Sequence, residues 1–65
     1  MKIVAYTKYG AFETEPTEYS DEEYEKLQKF MVTVTDSKFL TLNTTEGFIY
    51  LPQQIIQDTL FVIEK

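Results

Sequence analysis

The sequence contains no histidine, no cysteine, no tryptophan and no arginine. Each absence removes a class of chemistry. Without His, the usual general base near neutral pH is missing. Without Cys there is no thiolate nucleophile, no disulfide and no redox centre, and neither residue is there to hold structural zinc. Without Arg there is no planar fork for bidentate binding of phosphate or carboxylate. Cations of any kind are few. Six Lys face eleven Asp and Glu, a formal net charge of −5. Nucleic-acid binding normally rests on a basic footprint, and anionic membrane surfaces attract the same sign. Neither partner is expected. No apolar run approaches the ~20 residues that a spanning helix needs. Met1-Lys2-Ile3-Val4-Ala5-Tyr6 does not read as a signal peptide. The expected compartment is the cytoplasm.

What is present is apolar and aromatic. Of 65 residues, 43% are hydrophobic, with five Tyr and five Phe, too apolar for a disordered tail and too short for two domains. A domain near 60 residues buries only about 60% of its unfolded surface. With no disulfide or metal to help, the expected remedy is association, as a homodimer or small homo-oligomer or with a partner.

Along the chain, Lys2 to Thr7 is a β-prone run and reads as a strand. Gly10 offers a turn, and Ala11 to Glu15 a return strand that Pro16 ends. Ser20-Asp21-Glu22-Glu23 is a capping box, flanked by Tyr19 and Tyr24 at the positions of a hydrophobic staple. A helix is predicted over 21–30. Tyr24, Leu27 and Met31, with Phe30 beside them, form its core-facing stripe. Glu22–Lys26 and Glu25–Lys29 are i,i+4 pairs in the favourable order. After the helix, Val32-Thr33-Val34-Thr35 alternates and predicts a strand, with a turn at Asp36-Ser37-Lys38. Phe39 to Asn43 and Phe48 to Leu51 are two further strands, joined by Thr44 to Gly47 with Gly47 free to take a positive φ. Pro52 fits the first position of a short helical turn through Ile55 and Ile56, and Thr59 to Glu64 is a last strand.

The expected fold is α+β. It is a small antiparallel sheet of four to five strands, a meander plus the N-terminal strand, with one short helix on one face. Several strands are apolar on both sides: Phe39 against Leu40, Phe48 and Tyr50 against Ile49 and Leu51, Phe61 and Ile63 against Leu60 and Val62. A ten-residue helix, about 15 Å long, covers only one face. Curvature of the sheet, a second copy, or a partner is needed for the other.

The most distinctive segment is acidic. Glu13, Glu15, Glu18, Asp21, Glu22, Glu23 and Glu25 fall within residues 13–25 with no Lys among them. Capping and the helix dipole account for Asp21, Glu22 and Glu23, and Lys partners for Glu22 and Glu25. Glu13, Glu15 and Glu18 have no such local role. The functional reading is an electrostatic face, carried by Glu13, Glu15, Glu18, Asp21, Glu22 and Glu25, for a protein with a basic surface.

Other chemistry has less support. The acidic stretch lacks the Gly and spacing of a calcium loop, so no metal and no cofactor is expected. Tyr6, Tyr9 and Tyr50 are candidates for stacking on a nucleotide, with Lys2, Lys8 and Lys38 scattered around them. Aromatics are also simply what the core of a small sheet domain contains. Ser20 has a capping role and Ser37 a turn, so no catalytic residue is assigned and an enzyme is not expected.

Phe39-Leu40-Thr41-Leu42-Asn43, then Gly47-Phe48-Ile49-Tyr50-Leu51-Pro52, then Ile55-Ile56 and a final apolar strand form a recurring pattern. It resembles the small acidic α+β proteins encoded by phages and mobile elements of AT-rich Gram-positive bacteria. That resemblance implies an inhibitor or regulator acting in the host cytoplasm against a host enzyme or a defence system. The alternatives are an oligomeric protein that sequesters a small molecule or nucleotide, and a structural or accessory subunit acting by self-assembly.

Overall fold

Thr7 and Gly10 close the first hairpin. The Thr7 hydroxyl donates to the Gly10 carbonyl at 2.9 Å and accepts from the Tyr9 amide at 3.0 Å. Lys8 and Tyr9 keep negative φ, and the positive φ, 129°, falls on Gly10. This is the pattern of a type I turn followed by a left-handed residue. The strands it joins are β1, Lys2–Thr7, and β2, Gly10–Glu13. The computed structural model describes all 65 residues.

The same device recurs downstream. In β3, Phe39–Thr44, and β4, Gly47–Pro52, the Thr44 hydroxyl donates to the Gly47 carbonyl at 2.6 Å and accepts from the Glu46 amide at 3.2 Å. Gly47 has a φ of 125°, as its place after the turn requires. Thr-x-x-Gly thus occurs twice, at 7–10 and 44–47, with the same hydrogen bonds each time.

Between the hairpins lies helix α1, Asp21–Thr33. Ser20 is extended and its side chain accepts from the Glu23 amide at 3.1 Å. Tyr19 and Tyr24 pack ring to ring with centroids 5.9 Å apart, so the staple forms. The reciprocal half of the capping box does not form. The Glu23 carboxylate instead lies 3.7 Å from the Lys26 ammonium. Tyr24, Leu27, Phe30 and Met31 make the half-buried stripe, and Phe30 reaches the core.

The helix is longer than its sequence pattern predicts. Val32 to Thr35 does not form a strand. Val32 and Thr33 complete α1, and Val34–Asp36 is a single 3-10 turn. The four-residue alternation is ambiguous because Val34 is also four residues after Phe30 and seven after Leu27. The helical stripe wins: Val34 is buried, whereas Val32 is 78% exposed. The Thr33 hydroxyl donates to the Phe30 carbonyl at 3.1 Å, a bond that suits a helix end.

Losing that strand changes the sheet. The three-strand meander is reduced to the β3–β4 hairpin. A short helix α2, Gln53–Gln57, follows it, with Pro52 as its N-cap residue and not its first helical one. The chain then returns to β1 as β5, Leu60–Glu64, pairing Tyr6 with Leu60 and Lys2 with Glu64. The result is α+β, with five strands in two antiparallel sheets, ordered β2-β1-β5 and β3-β4. An isolated bridge between Thr14 and Thr44 joins them, beside a Thr45 amide donating to the Glu13 carbonyl at 3.0 Å.

The core fills the angle between the sheets. Ala5, Leu42 and Leu51 point into it from three strands, Val34 from the 3-10 turn and Ile56 from α2. Phe30, Leu40, Ile49, Ile55 and Phe61 surround them. Burying a side chain such as Ile56, which is fully enclosed, contributes about 1.5–3 kcal/mol. On the outer face of β3–β4, Phe39, Phe48 and Tyr50 are 58%, 69% and 61% exposed.

Candidate functional site

The acidic candidates sit at one end of the chain's path, where β2 leads into α1. Thr14 and Thr17 tether this connection to the N-terminal residues. The Thr14 amide donates to the Ile3 carbonyl at 3.0 Å and the Thr17 amide to the Met1 carbonyl at 2.8 Å. The Thr14 hydroxyl accepts from the Ile3 amide at 3.0 Å. These bonds fix the backbone that carries Glu15 and Glu18, and both side chains remain exposed. Asp21, Glu22 and Glu25 follow on the first turns of α1, also exposed.

The structure separates the acids into two groups. Glu13 has a partner that its sequence neighbours do not reveal. Its carboxylate accepts from the Lys2 ammonium, which also lies 4.0 Å from Glu64. The hydrogen bond to Glu13 raises the Lys2 pKa above its ordinary value. Glu13 is therefore part of a cross-strand ion pair, and its place in the predicted face has a structural explanation. Glu22 and Glu23 share Lys26, at 3.9 and 3.7 Å. The expected Glu25–Lys29 pair is not among the ion pairs formed. Glu15, Glu18 and Glu25 have neither an ion-pair nor a hydrogen-bond partner for their carboxylates. Asp21 accepts a 2.8 Å hydrogen bond from the Tyr19 hydroxyl, which raises the tyrosine pKa. The Lys65 ammonium stands over the Tyr24 ring at 4.3 Å and, with Lys26, is a cation beside this helix start. No group of carboxylates converges tightly enough to hold a metal ion. The acids form a spread surface.

Tyr6, Tyr9 and Tyr50 are not brought together. Tyr6 is on β1, Tyr9 is in the first turn with Lys8 5.5 Å from its ring, and Tyr50 is on β4, stacked on Phe39 at 5.8 Å. None of the three lines the cleft of about 470 Å³ that opens between α1 and the N-terminal strand. Its lining includes Met1, Lys2, Ile3, Leu27, Glu15 and Glu23, and the Lys2 ammonium there is already paired with Glu13. Two carboxylates there oppose a phosphate-bearing ligand. The aromatic face of β3–β4, Phe39 stacked on Tyr50 with Phe48 on the same side, was signalled in the sequence by strands apolar on both sides. Picking out its three members requires the β3–β4 register.

The chain matches no protein-family model, no curated protein and no solved structure. No helix is long and apolar enough to cross a membrane.

Proposed function

We propose that this chain is an interaction protein that binds a basic protein surface through Glu15, Glu18, Asp21, Glu22 and Glu25, in the manner of an inhibitor or regulator. The observation that carries this reading is the state of Glu15, Glu18 and Glu25. They are exposed, unpaired, and held on a tethered backbone and a capped helix. Acids fixed in this way act as a preorganised field, which raises the association rate with a cationic partner and opposes anionic ones. Glu13 is left out, because its charge is already matched by Lys2, whereas Glu22 stays in, because it shares the single Lys26 with Glu23 and that group keeps a net negative charge.

The test is affinity capture from a bacterial lysate at low salt, with a Glu15→Gln/Glu18→Gln/Glu25→Gln variant run in parallel. A basic protein captured by the parent, released by salt and missed by the variant supports the proposal. Equal capture by both chains overturns it. Glu13 stays intact in the variant, so that a lost Lys2 pair is not mistaken for a lost partner.

A further inference from the structure

We propose that the outer face of the β3–β4 hairpin is a two-fold seam between two copies of this chain. Three observations point to a second copy as the occupant. The first is charge. The face consists of Phe39, Thr41, Asn43, Phe48, Tyr50 and Pro52, and none is ionisable except the tyrosine. In a chain of net charge −5, an identical molecule meets least repulsion where the surface itself is uncharged.

The second is shape. The register sets Phe48 opposite Asn43, Tyr50 opposite Thr41 and Pro52 opposite Phe39. Over two of these three rows the large side chain is on β4 and the small one on β3, so a ridge runs beside a trough. A two-fold axis parallel to the strands, between two facing hairpins, brings β4 of one copy over β3 of the other. Phe48 and Tyr50 then lie over Asn43 and Thr41 of the second copy, and reciprocally, as an isologous interface requires. Phe39 meets Pro52 at the far end.

The third is area. An aromatic side chain offers on the order of 150–250 Å². At exposures of 58% for Phe39, 69% for Phe48 and 61% for Tyr50, the three leave about 370 Å² of ring surface per copy. That is more than half of the ~600 Å² per partner at the small end of specific interfaces. Thr41, Asn43 and the half-buried Pro52 extend it. A dimer of this size depends on concentration. Salt does not weaken it, unlike a complex made through the acidic face, and it leaves that face free.

Sedimentation equilibrium of the full chain over a range of concentrations tests the seam. The expected result is a rise from 7.7 kDa towards twice that mass, not reversed by added salt. Phe48→Glu/Tyr50→Glu is expected to stay monomeric, and Leu60→Glu, on the outer face of the other sheet, to dimerise like the parent. Thr41→Phe guards against misreading an unfolded variant. It adds apolar area and suits a strand, yet it fills the trough. It must weaken the seam if the ridge seats there, and strengthen association if the contact is merely greasy. A parent that stays monomeric, a Glu variant that dimerises normally, or a Thr41→Phe chain that associates more tightly overturns the proposal.

Discussion

Thr14 and Thr44 pair across the isolated bridge that joins the two sheets, and Thr44 is the buried polar residue of the fold. The Thr44 hydroxyl is satisfied within its own turn, by the Gly47 carbonyl and the Glu46 amide. One side chain thus shapes the second hairpin at the point where the sheets meet. Replacing Thr44 with Val removes both hydrogen bonds while keeping the shape. The expected cost is about 1–2 kcal/mol, read by urea denaturation with an unchanged slope. Thr7→Val, at the more exposed twin turn, is expected to cost less.

Ser20→Ala removes the acceptor for the Glu23 amide. It is expected to destabilise the chain by about 1 kcal/mol, seen as a lower urea midpoint. If the midpoint does not move, Ser20 does not cap α1 in solution.

Ile56 is fully enclosed where α2 packs on the 3-10 turn and the β3–β4 sheet. Ile56→Val is expected to cost about 0.5–1.5 kcal/mol and Ile56→Ala about 2–5 kcal/mol. The larger loss is comparable with the whole stability expected of so small a core. Circular dichroism melting of the Ala variant should show a broad, early transition or none.

Alkaline pH should weaken the fold through two groups. Lys2 is raised above 10.5 by its hydrogen bond to Glu13, and Tyr19 above 10.0 by its bond to Asp21. A raised folded-state pKa means that the folded chain holds the proton more tightly. Each contribution is complete below the unfolded pKa and is lost as pH rises through the folded value. Urea midpoints should therefore decline above about pH 10. Glu13→Gln together with Tyr19→Phe should flatten that decline.

Much of this fold is legible in the residues. β1, the start of α1, the β3–β4 hairpin and β5 follow from periodicity, the Ser20 cap and the glycines. Val32 to Thr35 fails because four residues of alternation also satisfy the helical spacing from Leu27 and Phe30 to Val34. The division into two sheets is not local information. It follows from β5 returning to β1 and leaving β3 with β4. At the acidic face, the exposure of Glu15 and Glu18 agrees with their lack of any local role. The partner of Glu13 is invisible until the Thr7–Gly10 turn fixes which residues of β1 and β2 adjoin. The aromatic face is legible as apolarity on both sides of β3 and β4, and the ridge and trough need the register.

The most direct measurement is the salt dependence of binding to the captured basic partner, for the parent and for the Glu15→Gln/Glu18→Gln/Glu25→Gln chain. If the acids are the working surface, the parent's affinity falls steeply with salt, and the variant binds weakly with a flatter dependence. If both chains bind with the same affinity and the same slope, the acidic face is not where the partner docks.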